Sequence, residues 1–497
     1  MWEHILMGMG VALRWNNLLI SAGGVALGIC VGALPGLSAS MGVAVLIPVT
    51  YGMNPVSGLI MLASVYVGAT YGGSISAVLI NTPGTPANVA TSWDGHAMTQ
   101  KGQGKEALTE SVVASTWGGL LSAFALLFLA PPLANFSLRF GPQENALLGV
   151  FGLSIIASLC SKSLVKGLLG GLLGLLIGTV GMDPQAGFPR YTFDVMNLMT
   201  GIPLVPALIG LYSIAQVLQL TIERSKFIVN EEALAAMKGK RSSLFDLVRH
   251  VRIYIVSGII GIIVGIIPGA GANIASFLSY NEAKRVSKTP ELFGHGSREG
   301  IAASEAGNNG VTGGALIPML TLGIPGNSVA ACLMGGLTIN NLIPGPELFS
   351  KYGTITYGFI LSLFIANIVF LFLGIYLAPF FAKISTAPNS LLIPGIAVLS
   401  VVGSFAMRNM MFDVWTMLAF GFGGYFLHRC GFDLGAVVLG LILGHITEEG
   451  FGGALAISNG SPAIFFTRPI CIVLWVCIAL LLLPAIRAKK KAKKTVD

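Results

Sequence analysis

Gly32-Ala-Leu-Pro-Gly-Leu-Ser-Ala39 lies between two apolar runs, 18–34 and 38–52, and Gly265-Ile-Ile-Pro-Gly-Ala-Gly-Ala272 lies between two more, 251–267 and 271–283. One such match between apolar segments carries little weight. Three more follow in the same order: Pro83-Gly-Thr-Pro-Ala-Asn88 with Leu322-Gly-Ile-Pro-Gly-Asn327, Gly152-Leu-Ser-Ile-Ile-Ala-Ser158 with Val398-Leu-Ser-Val-Val-Gly-Ser404, and Gly181-Met-Asp-Pro184 with Gly431-Phe-Asp-Leu434. The separation drifts slowly from 233 to 250 positions, as it does in a duplicated unit that has gathered small insertions. Residues 18–222 and 251–465 therefore read as two membrane repeats, the first with an extra segment near 185–202. A charged linker, 223–250, joins them as a solvated cytoplasmic helix. Residues 1–17 form an N-terminal segment, expected to be retained because it lacks a charged start and a small-residue cleavage site. Residues 466–497 form a last transmembrane helix and a basic cytoplasmic tail.

Composition agrees with a membrane setting. Of the 497 residues 54% are hydrophobic and 10% charged, against about 25% charged in soluble proteins. At about 20 apolar residues per span the chain has room for about ten to twelve crossings, so a soluble enzyme and a nucleic-acid binder are excluded. The expected fold is an all-α polytopic membrane protein. The six cysteines stand singly in or beside apolar runs, with no metal-ligand spacing. No metal and no cofactor is expected, and no GxxxxGK[ST] phosphate loop points to ATP. Neither HExxH nor GxSxG is present, so no enzymatic site is indicated.

If the two runs around each Pro-Gly pair form a re-entrant or helical hairpin, each copy crosses the membrane five more times. An odd number inverts the second copy relative to the first. With the C-terminus inside, 23 of the 29 basic residues fall on the cytoplasmic side. Arg14, Arg139, Arg190, Lys351, Arg408 and Arg468 remain outside, a strong positive-inside bias that also places the N-terminus outside. Inverted repeats with interrupted helices are the construction of secondary transporters, with the substrate held where the copies meet.

The interruptions are the candidate site. A helix broken within a membrane exposes N–H and C=O groups that must find partners, and half-helix N-termini favour an anion. The candidate substrate contacts are Ser38 and Asn273 beside the hairpin tips Pro35-Gly36 and Pro268-Gly269, then Asn81, Thr82, Gly84, Thr85 and Asn88 in the first break, and Gly323, Gly326, Asn327 and Ser328 in the second. None of these four tips contains Lys or Arg, so a carboxylate would be held by amides, hydroxyls and helix ends, with a co-bound cation as a further option. Glu305, with Asn308 and Asn309, is the candidate for the coupling ion, Na⁺ or H⁺, because an intramembrane carboxylate is by default a functional candidate. His445, Glu448 and Glu449 read as a solvated external loop, and Asp183 and Asp433 as matched helix caps.

Gly32-Ala-Leu-Pro-Gly-Leu37, Leu79-Ile-Asn-Thr-Pro-Gly-Thr-Pro-Ala-Asn88, Ser304-Glu-Ala-Gly-Asn-Asn309, Leu320-Thr-Leu-Gly-Ile-Pro-Gly-Asn327 and Gly345-Pro-Glu-Leu-Phe349 together resemble the large membrane subunit of the bacterial tripartite tricarboxylate transporter family. Asp94-Gly-His-Ala-Met98 departs from the Asp-Gly-Tyr-Pro associated with that position. The resemblance implies an inner-membrane secondary transporter that takes an organic carboxylate from a periplasmic substrate-binding protein. It also implies a small four-helix membrane subunit as partner, in the lipid bilayer and without nucleic acid. Hairpins and interrupted helices would move against the other helices to give alternating access. A self-sufficient carboxylate carrier without a binding protein is the alternative. A channel, which needs a continuous polar pore and no paired breaks, fits less well.

Overall fold

The computed structural model describes residues 2–159, 164–222, 249–384 and 387–494; linker residues 223–248, with the cytoplasmic helix expected there, lie outside the described residues. Helix α1 (Trp2–Ala12) precedes a helical hairpin, α2 (Trp15–Ala33) and α3 (Ala39–Thr50), that turns at Pro35-Gly36. Helix α4 (Pro55–Ile80) ends at a break, a 3-10 turn (Pro86–Asn88) follows, and α5 (Val89–Gln100) resumes. Next come α6 (Gly104–Ser137), α7 (Pro142–Leu159), α8 (Leu164–Gly178), a two-stranded ribbon of β1 (Gly181–Met182) and β2 (Pro189–Arg190), and α9 (Leu204–Ile222), which contains a π turn at Gly210–Ile214.

A second hairpin and a second broken helix follow residue 250. A hairpin of α10 (Val251–Ile266) and α11 (Gly271–Val286) turns at Pro268-Gly269. Then α12 (Arg298–Leu322) breaks and α13 (Ser328–Thr338) resumes. A short α14 (Pro346–Ser350) leads to α15 (Gly353–Ile384), α16 (Asn389–Arg408), α17 (Met411–Arg429) and α18 (Leu434–Ile457), and α19 (Ile464–Thr467) leads to the closing α20 (Pro469–Lys494). Seven of the helices are long and apolar enough to cross a membrane, and five shorter apolar ones of 10–17 residues accompany them. This is an all-α, multi-pass membrane protein. Helix α18 continues through Gly450, which lets it pack directly against the backbone of Pro142 and Ala146 on α7.

The two breaks are built alike. Asn81 and Gly323 end α4 and α12 in the left-handed conformation (φ 52° and 70°), and the prolines that follow cannot continue a helix. Each break then folds back onto its own helix: the Gly84 N–H donates to the Gly73 carbonyl (3.2 Å) and the Gly326 N–H to that of Ala315 (3.2 Å). Both glycines also lie against a hairpin, Gly84 at the carbonyl of Gly32 and Gly326 at that of Gly265, where a Cβ would not fit. Tips and breaks therefore meet because the chain carries glycine at the points of contact.

Helices α4 and α12 are buried along nearly their whole length, which explains the lack of a clear amphipathic stripe in their sequences. The outer surfaces of α15, α16 and α17 expose Phe372, Phe380, Val398, Val402, Trp415 and Phe422, as expected of helices that face lipid.

Candidate functional site

Five helical segments begin at one place. Ser38 caps α3, its Oγ accepting from the Met41 N–H (3.1 Å), and Asn327 caps α13, its Oδ1 accepting from the Ala330 N–H (2.8 Å). Thr85 precedes the 3-10 turn that leads into α5, Gly271 opens α11, and Asp433 caps α18 by accepting from the Gly435 N–H (2.8 Å). These starts enclose a cavity of about 350 Å³, within the range of about 300–1,000 Å³ usual for small-molecule sites. Each helix start contributes unpaired N–H groups and a partial positive charge. No Lys or Arg is among the residues that line the cavity, and Asp433 is the one charged group there.

Of the residues singled out in the sequence, Ser38, Thr85, Gly269, Asn273, Asn308, Asn327 and Ser328 line this cavity. Tyr66 and Thr70 of α4 also line it. Tyr66 accepts a hydrogen bond at its hydroxyl from Asn327 Nδ2 (2.8 Å), a pairing across 261 positions that no local pattern announces. The other singled-out residues shape the wall without facing the cavity. Asn81 is an exposed helix cap, Thr82 donates its hydroxyl to the Ile80 carbonyl (3.2 Å), and Gly84 and Gly326 are packing contacts. Pro35 and Pro268 are buried in the turns, and Gly36 supplies a positive φ of 84°. Gly323 lines a different, larger cavity of about 1140 Å³.

Behind the small cavity Glu305 is wholly buried. Its Oε1 accepts from Asn88 Nδ2 (3.0 Å) and Thr91 Oγ1 (2.6 Å), and its Oε2 from Ser115 Oγ (2.8 Å). Asn88, read from sequence as a substrate contact, is thereby joined to Glu305, while its Oδ1 accepts from Thr85 Oγ1 (2.6 Å) at the cavity wall. Asn308 donates to the Thr70 carbonyl (3.4 Å); among the described residues its Oδ1 has no partner, and the side-chain amide of neighbouring Asn309 has none for either atom. Thr91 and Ser115 were not foreseen. A threonine three residues after Asn88 shares its helix face, which was the one available signal.

The larger cavity is lined by His445, Glu448 and Glu449 of α18. These residues are helical and not in a loop, because α18 continues past them. Arg190 of β2 pairs with Glu448 and with Asp183 (3.2 Å). Asp183 caps a turn and not a helix: the backbone N–H groups of Ala186 and Gln185 bind its carboxylate and hold it below the usual carboxylate range, with a smaller contribution from Arg190. The chain around Asp183 bends into a ribbon, whereas Asp433 begins helix α18.

At the other end, buried Glu110 of α6 accepts from the Tyr254 hydroxyl (2.6 Å) and contacts His250 Nδ1 (3.0 Å). Burial opposes charging of His250, but the hydrogen bond and negative charge of Glu110 outweigh it and raise the pKa of the imidazole. A pKa higher in the folded state than its ordinary value of about 6.5 gives stability that is complete below that value and fades as pH rises through the folded one. The unfolding midpoint of wild type over His250→Gln is therefore expected to be highest in mildly acidic buffer and to converge at alkaline pH. A gap that is constant with pH would contradict the charged pairing.

The tripartite tricarboxylate transporter TctA family model matches residues 18–439. The chain is similar to a protein of Agrobacterium vitis described as an uncharacterized 52.8 kDa protein in the TAR-I ttuC' 3' region, at 36% identity over 492 residues, 98% of this chain and 97% of the relative. A second Agrobacterium vitis protein, described as an uncharacterized protein in the TAR-II ttuC' 3' region, is 37% identical over 234 residues, 46% of this chain and 97% of its own length. No solved structure matches. With its model matched over most of the length, this chain belongs to the tripartite tricarboxylate transporter TctA family.

Proposed function

We propose that the chain is the large transmembrane subunit of a binding-protein-dependent secondary transporter that imports tricarboxylates or other organic carboxylates. The observation that carries the reading is the small cavity: five helical starts converge on it and no basic side chain lines it. Such a site attracts a carboxylate through backbone N–H groups and helix dipoles and, lacking arginine, lets it go readily, as a carrier must. The uncompensated charge of a polyanion beside Asp433 then calls for a co-transported cation, Na⁺ or H⁺, with Glu305, Asn308 and Asn309 as its candidate ligands.

In this reading the two halves are copies inserted in opposite orientation in a bacterial inner membrane, with the N-terminus periplasmic and the C-terminus cytoplasmic. The two hairpins and breaks move together against the remaining helices to expose the cavity to either side. A periplasmic substrate-binding protein delivers the acid, and a small four-helix membrane subunit completes the complex.

Uptake by proteoliposomes, with imposed Na⁺ or H⁺ gradients and with or without the binding protein, tests the reading: uptake should require both a gradient and the partner. Uptake that needs neither contradicts it. Asn327→Ala removes a helix cap and a wall hydrogen bond, and a bond to a charged ligand contributes about 1.5–3 kcal/mol. Transport is expected to fall about ten- to a hundredfold, and unchanged transport in both Asn327→Ala and Asn88→Ala would remove the breaks from the substrate path.

A further inference from the structure

We infer that Glu305 is the proton carrier of this transporter and that the substrate cavity senses its charge through Asn88 and Thr85; the inference rests on the transport reading above and chooses H⁺ between the two coupling ions. Thr85 lines the cavity, its hydroxyl donates to Asn88 Oδ1 (2.6 Å), and Asn88 Nδ2 donates to Glu305 Oε1 (3.0 Å). Three residues thus join the cavity wall to a carboxylate that is itself wholly buried.

The surroundings suit a group that changes charge. Among the described residues no Lys, Arg or His pairs with Glu305, whose bonds come from one amide and two hydroxyls. From α4 the buried hydroxyl of Tyr71, without a hydrogen-bond partner among the described residues, lies within electrostatic reach of it. Four acidic groups on the helices packed around α12 have partners of their own: Glu106 pairs with Arg298 and Glu282 with Arg285. Asp94 of α5 binds Tyr280 of α11 and the 294–297 backbone, and Glu110 of α6 binds Tyr254 of α10 and His250. A fixed ion pair would hold the carboxylate charged, whereas neutral donors permit both states.

The two oxygens are not equivalent. Oε1 accepts from Asn88 and Thr91, and the amide N–H of Asn88 can only donate. Oε2 meets the hydroxyl of Ser115 alone, which can turn from donor to acceptor. An incoming H⁺ therefore forms its O–H bond at Oε2, Ser115 reverses, and Oε1 becomes a neutral carbonyl oxygen and a weaker acceptor. The hold on Asn88 loosens, and with it the wall segment Thr85-Pro86-Ala87. When the same proton leaves Oε2 toward the other side of the membrane, the carboxylate draws Asn88 back. One proton enters and one leaves per cycle.

Glu305→Gln keeps the shape and an Oε1 acceptor but carries no titratable proton. Proteoliposomes holding the full chain with its small membrane subunit, supplied with the binding protein and with labelled citrate or succinate as a tricarboxylate and a dicarboxylate probe, give two readouts: equilibrium exchange and accumulation driven by a pH gradient. An internal pH dye reports proton entry. Wild type should accumulate the acid and acidify the lumen as it does so. Glu305→Gln should lose both accumulation and acidification, and lose less of its exchange than of either. The proposal is overturned if wild-type uptake moves no protons, if Glu305→Gln still accumulates the acid under a pH gradient, or if it unfolds at the wild-type temperature yet loses exchange as fully as accumulation, which would make Glu305 a structural or binding group. Absence of uptake of either acid by wild type under any gradient would instead fell the transport reading, and this one with it.

Discussion

Gly84→Ala is expected to leave the chain unable to assemble the small cavity. A Cβ at this position would overlap the carbonyl oxygen of Gly32 and lie 2.7 Å from the Cα of Gly73. Both obstacles are backbone, held by helices α2 and α4, so no side chain can turn aside. Overpacking in cores costs about 1–3 kcal/mol, and the rigid neighbours place this substitution at or above the upper end of that range. Gly326→Ala meets the same obstruction at the Gly265 carbonyl and Ala315 Cα and should behave alike. The contrast is with Gly10→Ala and Gly23→Ala, whose added methyl groups meet nothing within 4 Å. These should unfold at or slightly above the wild-type temperature, since alanine is favoured over glycine in a helix by about 0.5–1 kcal/mol. Thermal unfolding in detergent, read together with transport, checks the contrast. Equal behaviour of the two pairs would contradict the close approach of tip and break.

Asp94→Ala should be the second large effect. One oxygen of this buried carboxylate, Oδ1, accepts from the N–H groups of Gly294 (2.8 Å), Gly296 (2.9 Å) and Ser297 (2.8 Å), and Oδ2 accepts from the Tyr280 hydroxyl (2.8 Å). The side chain thereby ties α5 to the loop that leads into α12. Its loss leaves several donors without an acceptor, each at about 1–3 kcal/mol when buried. The loop should open to protease between 287 and 297 and the unfolding midpoint should fall sharply. Asp94→Asn keeps one acceptor oxygen and should fall between Asp94→Ala and wild type. Wild-type protease resistance in Asp94→Ala would refute the anchoring role.

The breaks were legible because their residues have few conformational choices. Pro83, Pro86 and Pro325 cannot sustain a helix, Asn81 and Gly323 tolerate the left-handed cap, and Asn327 caps the helix that follows, so the segments 81–88 and 321–328 announced themselves. The hairpins at Pro35-Gly36 and Pro268-Gly269 were legible for the same reason. What could not be read was who meets whom. Glu305 draws its partners Asn88, Thr91 and Ser115 from 190 to 217 positions away, and no local pattern encodes such a pairing. Asp94 was visible as part of a motif, yet its partners at 294–297 appear only once α5 and α12 are packed. Asp433, read as a mere cap, proves also to line the cavity, because the start of α18 is brought to it by tertiary packing. That His445, Glu448 and Glu449 belong to a helix and not to a loop was hidden, because α18 continues past them by packing Gly450 against α7.

In the proposed mode of binding the carboxylate sits at the convergent helix starts of the small cavity, between Ser38, Thr85 and Asn327. A structure of the full complex loaded with the transported acid would reveal its seat. A carboxylate group is expected against the first backbone N–H groups of α3 and α13, with no arginine or lysine in contact. An acid bound instead in the larger cavity, paired with Arg190 and away from both breaks, would contradict it.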